Sequence, residues 1–184
     1  MIGIRGPVRL GVAMATVEIR RAVDGDLAAL VSSFQQRDFF ADALARQRDG
    51  RGVLLVAWLD GRPVGDVYVS LESASAAPIR ARLPGVPQLG HLEVLSTLWR
   101  QGIGTALIQA AEDAARRLGH RRVTLSVGLD NPGAQRLYEG LGYAAWGHGQ
   151  VVESWQELGD DGTPVTVSEV CDVLVKRLSS GGGR

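Results

Sequence analysis

The 184-residue chain has a single cysteine, Cys171, which excludes an internal disulfide framework and a cysteine-built zinc site. Lysine is almost missing as well. Lys176 stands alone among 20 basic residues, and these are matched by 20 acidic ones for a formal charge of +0. The excess of arginine reads as a coding bias toward Arg, Ala and Gly rather than as chemistry. A balanced chain lacks the basic footprint of a protein that grips nucleic acid through bulk charge, though a small local basic pocket remains compatible with it. No apolar run approaches the roughly 18 residues expected of a membrane span. Neither nucleic acid nor membrane is therefore expected as a partner. The three histidines, His91, His120 and His148, are too scattered to mark a metal site by spacing, and no metal is expected. Gly3, Gly6, Pro7 and Arg9 break up any signal-peptide core, so residues 1–15 are expected to be a flexible leader, with Met14 as the natural start, and the location cytoplasmic.

What is present is an ordinary globular mix, 45% hydrophobic and 22% charged, in a length that suits one domain. That domain is expected over residues 16–178, followed by a flexible tail, 179–184. A short strand is expected at 17–20. Asp24 reads as the cap of a helix carrying Leu27, Leu30, Val31 and Phe34, and a second helix spans about 38–49. Residues 53–59 and 63–71 form a hairpin around Asp60-Gly61. Residues 73–88, with Pro78, Pro84 and Pro87, read as a long loop. A strand at 89–95 leads into the clearest helix of the chain. Ile103, Ala106, Leu107, Ala110, Ala111, Ala114, Ala115 and Leu118 fall on one stripe, which Gly119 ends. A strand at 123–129 follows, then a helix capped by Asn131-Pro132 and closed by Gly142. Two last strands, 143–158 and 165–178, are joined through Asp160-Asp161-Gly162. This order predicts an α/β (α+β) domain with a mixed sheet and helices upon it.

The segment Leu92-Glu93-Val94-Leu95-Ser96-Thr97-Leu98-Trp99-Arg100-Gln101-Gly102-Ile103-Gly104-Thr105 runs from a strand through a turn into that long helix. The first N–H groups of a helix have no internal partner, and the helix dipole makes that end partially positive. Gly102 and Gly104 clear the approach, while Arg100 and the Thr105 hydroxyl can add donors. An anion site follows, or else a glycine-rich turn needed only for packing. Leu107 stands where a dinucleotide fingerprint needs its third glycine, and the chain has no Gly-Lys-Ser/Thr of a P-loop.

With the second motif, Asn131-Pro132-Gly133-Ala134-Gln135-Arg136-Leu137-Tyr138-Glu139-Gly140-Leu141-Gly142-Tyr143, residues 92–146 resemble the core of the GCN5-related N-acetyltransferase (GNAT) superfamily. The first motif is similar to its Arg/Gln-x-x-Gly-x-Gly/Ala turn and the second to its Asn-x-x-Ala-x-x-Leu-Tyr-x-x-x-Gly-Phe/Tyr segment. The resemblance implies a mostly antiparallel sheet of about six to seven strands flanked by about four helices. It also implies acetyl-coenzyme A as cosubstrate and transfer of its acetyl group, by direct attack, to a primary amine of a small molecule or peptide. The protein would be a monomer or homodimer. Trp99 departs from the pattern, since the first turn position is usually Arg or Gln; Arg100 is the neighbour that can supply the charge.

Residue by residue, the resemblance puts the pyrophosphate on Arg100, Gln101, Gly102, Ile103, Gly104 and Thr105. It puts the thioester against the backbone of Leu92, Glu93 and Val94, the pantetheine arm on Asn131, and the leaving thiolate by Tyr138. From periodicity alone Tyr138 is a core aromatic. The base that relieves the amine of its proton is open. Some relatives carry a glutamate where Ser126 stands; Glu93, His91 and Glu72 are the nearby candidates, and Glu93 reads equally as a solvated strand residue. Arg80 and Arg82, in the 73–88 loop, either recognise a carboxylate on the acceptor or are solvated. Two other readings are a non-catalytic coenzyme A-binding module on the same fold and a transferase of another acyl group.

Overall fold

A computed structural model describes residues 8–9, 16–158 and 163–179. Strands are β1 (Val8–Arg9), β2 (Thr16–Arg21), β3 (Gly52–Leu59), β4 (Arg62–Ser70), β5 (Gln88–Val94), β6 (Arg122–Gly128), β7 (Ala144–Ala145), β8 (Val151–Leu158) and β9 (Pro164–Arg177). Helices are α1 (Leu27–Phe34), α2 (Arg37–Arg48), α3 (Ala77–Arg82), α4 (Ile103–Arg117) and α5 (Pro132–Gly140). The sheet runs β1-β2-β3-β4-β5-β6-β9-β7, with β8 also on β9. β5 and β6 are parallel and every other pairing is antiparallel. This is the mixed, mostly antiparallel architecture expected. Seven strands have six residues or more, and β1 and β7 have two each. Most of the expected leader, and the tail beyond residue 179, lie outside the described residues, as does the Asp160-Asp161-Gly162 turn.

Alternation along β3 and β4 divides the interior into two cores. Leu55, Ala57, Val67 and Val69 face α4, whose stripe of Ile103, Leu107, Ile108, Ala111 and Ala115 is fully buried against them. Leu54, Val56 and Tyr68 face the other way, onto Leu30, Phe34, Phe40 and Leu44 of α1 and α2. The parallel β5–β6 pair needs a crossover, and α4 supplies it.

Three local expectations need correction. Residues 73–88 hold a helix, α3, because Pro78 occupies the first turn, where proline costs no hydrogen bond. Ala76 and Ile79 bury one face against Val151, Cys171 and Val173, with Leu83 packed beside them. The expected strand at 143–158 is two pieces, because Gly147 and Gly149 both adopt φ of 79° and break it; both pieces then pair with the 14-residue β9. The acid that starts α1 is Asp26, not Asp24. Its Oδ2 accepts from the Val23 N–H at 2.8 Å, and its carboxylate takes a two-pronged bond from Arg20 at 2.7 and 2.8 Å.

The Arg20 bonds and the Val23 N–H hold the Asp26 carboxyl below its ordinary value against the opposing effect of burial. A depressed carboxyl adds stability above its unfolded pKa and loses it as pH falls through the folded value. Asp26→Asn should therefore lower stability near neutral pH by about 1–2 kcal/mol, the scale of a lost charge-assisted cap. It should also flatten the acid side of the stability curve, read as the urea midpoint against pH. An acid limb as steep as in the parent would show that Asp26 does not carry this linkage.

Candidate active site

The site begins where two strands part. β5 and β6 are paired only at Gln88 with Thr124 and Leu89 with Leu125. Beyond that point β6 stays on β9 and β5 stays on β4, so a crevice opens between them. Edge strands normally carry unpaired N–H and C=O groups outward; here two such edges face each other inside the domain. The Leu95 N–H donates to Val64 O at 3.0 Å, so by alternation the Val94 N–H points into the crevice, as does that of Leu92. Glu93, between them, turns its N–H back toward β4.

The crevice widens into a cleft of about 580 Å³ over the start of α4. Leu92, Val94, Arg100, Gly102, Ile103, Gly104 and Thr105 line it, as do Gly133, Arg136 and Leu137 from α5. Gln101 and Glu93 are not among the lining residues. The turn into α4 needs two left-handed residues, Arg100 (φ 62°) and Gly102 (φ 83°). Glycine takes that conformation without the steric cost that a side chain adds. The first helical bond is Ala106 N–H to Gly102 O, which leaves the N–H groups of Ile103, Gly104 and Thr105 facing the cleft, and no side chain caps them. Neither Arg100 nor Arg136 has an ion-pair partner among the described residues. Trp99 braces the turn, its indole N–H donating to Val94 O at 2.7 Å while the ring stays 66% exposed.

Asn131 and Tyr138 lie on a second chamber of about 290 Å³ farther into the crevice, with Gly90, His91, Ser126 and Glu169. Asn131 Oδ1 accepts from the Ala134 N–H at 3.0 Å and so caps α5. Tyr138 is buried edge-on against Tyr143, and burial pushes its phenol up to about 12.

A β-bulge shapes the opposite side of β5. Asp66 pairs with Glu93 and Tyr68 with Gly90, so three steps on β5 face two on β4. The extra residue is His91, at φ 51°. The bulge leaves Leu92 and Val94 toward the α4 core while His91 and Glu93 both face α1 and α2. There His91 Nδ1 lies 2.8 Å from Oδ1 of the fully buried Asp66, and Nε2 lies 2.6 Å from Gln36 Oε1. Gln36 Nε2 donates to Glu93 Oε2 at 2.7 Å. The His91 ring stacks on Phe39 with centroids 3.5 Å apart. Burial raises the Asp66 carboxyl to about 6, offset in part by the His91 bond. Asp66, His91 and Glu93 offer donor atoms within 4.8 Å of one another, a span a metal ion could bridge, yet hydrogen bonds already engage all three side chains.

The other sequence candidates are dispersed. Glu72 lies beyond the far end of β4, held by Arg46 at 3.1 Å and Arg51 at 2.9 Å. Arg80 donates to the carbonyls of Ala74 and Ser75, tying down the start of α3. Arg82 lines a separate cleft with Arg122, Lys176, Arg177 and His148. Sequence reasoning missed a carboxylate pair. Glu153 of β8 stands directly opposite Glu169 of β9, and its Oε1 accepts from Ser126 Oγ at 2.8 Å and Gln88 Nε2 at 3.1 Å. A carboxylate thus reaches Ser126 from a distant strand, with only the register of β8 on β9 as a signal. Glu169 reaches over Gly128, where a side chain would collide with its carboxylate. Asp66, Gln36 and Arg136 were also passed over. Only a cross-strand bulge, an interhelical linker and one face of α5 bring them in.

The chain is 33% identical over 119 residues to an uncharacterized N-acetyltransferase of Methanocaldococcus jannaschii, a match that covers 65% of this chain and 48% of that protein. The chain thus spans about half the length of that curated relative. Among solved structures it superposes on the ribosomal-protein-S18-alanine N-acetyltransferase of Escherichia coli with a TM-score of 0.62 at 18% identity, covering 90% of this chain and 96% of that one. It also superposes on a GNAT family acetyltransferase of Elizabethkingia anophelis with acetyl-CoA bound, with a TM-score of 0.58 at 13% identity, covering 88% and 98%. The family model described as the acetyltransferase (GNAT) family matches residues 19–143, and the chain belongs to that family.

Proposed function

We propose that the protein transfers the acetyl group of acetyl-coenzyme A to a primary amine of a small molecule or peptide, by direct attack. The observation that carries this reading is the parted β5–β6 edge running into the uncapped start of α4. A phosphate chain finds free N–H groups, the positive end of a helix and two unpaired guanidiniums, Arg100 and Arg136, at one end of the cleft. A pantetheine arm finds the exposed backbone edge of β5, with Asn131 across the crevice. The thioester carbonyl then meets the crevice-facing N–H groups of β5 at Leu92 and Val94, of which Leu92 lines both the cleft and the inner chamber; a preorganised donor of this kind is worth about 3 kcal/mol of barrier.

The chemistry balances without a further cofactor. The amine nitrogen attacks the thioester carbon; a C–N bond forms and the C–S bond breaks. Tyr138, kept protonated by burial, gives its proton to the departing thiolate and is reprotonated from solvent. An acceptor that arrives as an ammonium ion first gives a proton to Glu93, directly or through one water, and on to solvent, so that the neutral nitrogen can attack; the second N–H proton leaves to solvent once the C–N bond has formed. Glu153, Glu169 and Asp130 make the β6–β9 side of the second chamber acidic. That favours an acceptor arriving as an ammonium ion over one bearing a carboxylate, and Arg80 is already committed to the α3 turn.

The test is thiol release from acetyl-coenzyme A across a panel of amines. Turnover with at least one amine is expected. Tight cofactor binding with no thiol release from any amine would favour a non-catalytic coenzyme A-binding module instead. Gly104→Val should fold, since a Cβ there meets only Leu137 at 3.7 Å and Val94 at 4.0 Å. Its side chain would intrude on the phosphate end, so calorimetry should read at least a tenfold weaker coenzyme A affinity, about 1.4 kcal/mol. Unchanged affinity would remove the pyrophosphate from the start of α4. Tyr138→Phe keeps the ring and its packing; kcat should fall by about 10- to 1,000-fold with cofactor affinity retained. Wild-type turnover in that variant would leave Tyr138 as a core aromatic.

A further inference from the structure

The chain Asp66–His91–Gln36–Glu93 has a direction fixed by its donors and acceptors. The Gln36 amide nitrogen can only donate, and it sits on the Glu93 carboxylate. The Gln36 oxygen can only accept, so the His91 Nε2 that faces it at 2.6 Å carries a hydrogen. A His91 protonated at Nδ1 alone would set two lone pairs against each other. A flipped Gln36 amide would set its oxygen against a carboxylate. The remaining contact, His91 Nδ1 to Asp66 Oδ1, then holds one proton, on either atom. In both arrangements Glu93 Oε2 accepts from the Gln36 amide.

The surroundings keep this chain from rearranging. Asp66 has no exposed surface, and the His91 side chain is 22% exposed. Phe39 stacks on the His91 ring and Phe40 meets it edge-on at 5.9 Å, so α2 presents no charge to it. The groups facing His91 are Asp66 from β4, Gln36 from the α1–α2 link and, on its own strand, Glu93. A bond lost from a network held in apolar walls is costly, and Asp66 Oδ2, buried without a partner among the described residues, makes the Oδ1 bond to His91 the one contact that holds this carboxyl.

We propose that Asp66, His91 and Gln36 are positioning residues that hold the Glu93 side chain in orientation for the step in which the amine gives up its proton. The inference rests on the acetyltransferase reading and on Glu93 as the proton acceptor. The relay's own proton stays in place through the reaction. The amine's proton goes to Glu93 and from there to solvent, while the thiolate is protonated separately at Tyr138.

Two measurements on the full chain test it. Nitrogen-15 NMR of the imidazoles, with His91→Gln to assign the signal, should find Nε2 of His91 protonated near neutral pH. A bare Nε2 would overturn the relay whether or not the protein acetylates anything. In steady-state kinetics Gln36→Leu, folded by circular dichroism, should lower kcat about 10- to 100-fold, within the range of a misplaced acid–base group. KM for acetyl-coenzyme A should change less than twofold. Asp66→Leu should show a similar loss, and Asp66→Asn, whose amide can donate to Nδ1, should recover most of it. Unchanged kcat in Gln36→Leu would overturn the relay while leaving the acetyltransferase reading intact. Absence of turnover with every amine in the parent protein would overturn the latter, and the NMR result would still decide the relay.

Discussion

The parting of β6 from β5 after Leu89 and Leu125 is the constraint on which the rest of the molecule depends. Two parallel strands that stay paired would satisfy their N–H and C=O groups in each other and leave no cleft. Because β6 follows β9 instead, the far half of β5 keeps a polar edge inside the domain. The break would be costly were there nothing to hold both strands. β4 fixes β5 on one side, β9 pairs with all seven residues of β6 on the other, and α4 covers both from one face. The opening is therefore held on both sides, which suits the proposed transfer, in which a carbonyl is aligned with a backbone N–H.

The bulge at His91 is the second half of the same arrangement. Without the extra residue, strict alternation from Leu89 would carry Glu93 to the α4 side and Leu92 to the other. With it, Leu92 and Val94 join the apolar core while His91 and Glu93 meet α1 and α2. One residue in left-handed conformation thus separates an apolar cleft wall from a polar face. Its strain is met by the bonds that His91 makes to Asp66 and Gln36 and by the Phe39 stack.

Much of this was legible in the sequence. The stripe on α4, the Asn131-Pro132 start of α5 and the hairpin at Asp60-Gly61 announce themselves because short-range periodicity and turn chemistry set them. The residues around Gly102 were legible for the same reason, and the structure brings seven of the expected positions to one cleft. What the sequence hid was set at long range. The helix at Ala77–Arg82 draws its stability from the contact of Ile79 with Val151, Cys171 and Val173, more than seventy residues on in the chain, and Pro78 within it and Pro84 and Pro87 after it read locally as breakers. The Glu153 carboxylate reaches Ser126 only through the pairing of β8 with β9 and β9 with β6. Gln36, in the short link between two helices, carries no local signal of its partner on β5.

Electrostatics divides the domain in a way that net charge conceals. Over the start of α4 lie Arg100, Arg136 and a helix dipole, with no carboxylate among the residues lining that cleft. Deeper in the crevice Asp130 and Glu169 line the second chamber, and Glu153 stands across from Glu169 on β8. Opposed carboxylates on neighbouring strands repel, and donors from Ser126, Gln88 and Ser75 offset this for Glu153. On the proposed reading, a polyanionic cosubstrate would be drawn to one end of the crevice and a cationic acceptor to the other, to meet where the strands part. A balanced chain of 20 basic and 20 acidic residues can sort two oppositely charged reactants this way, because the field that matters is local to each mouth of the crevice and is screened within about 10 Å in ordinary salt.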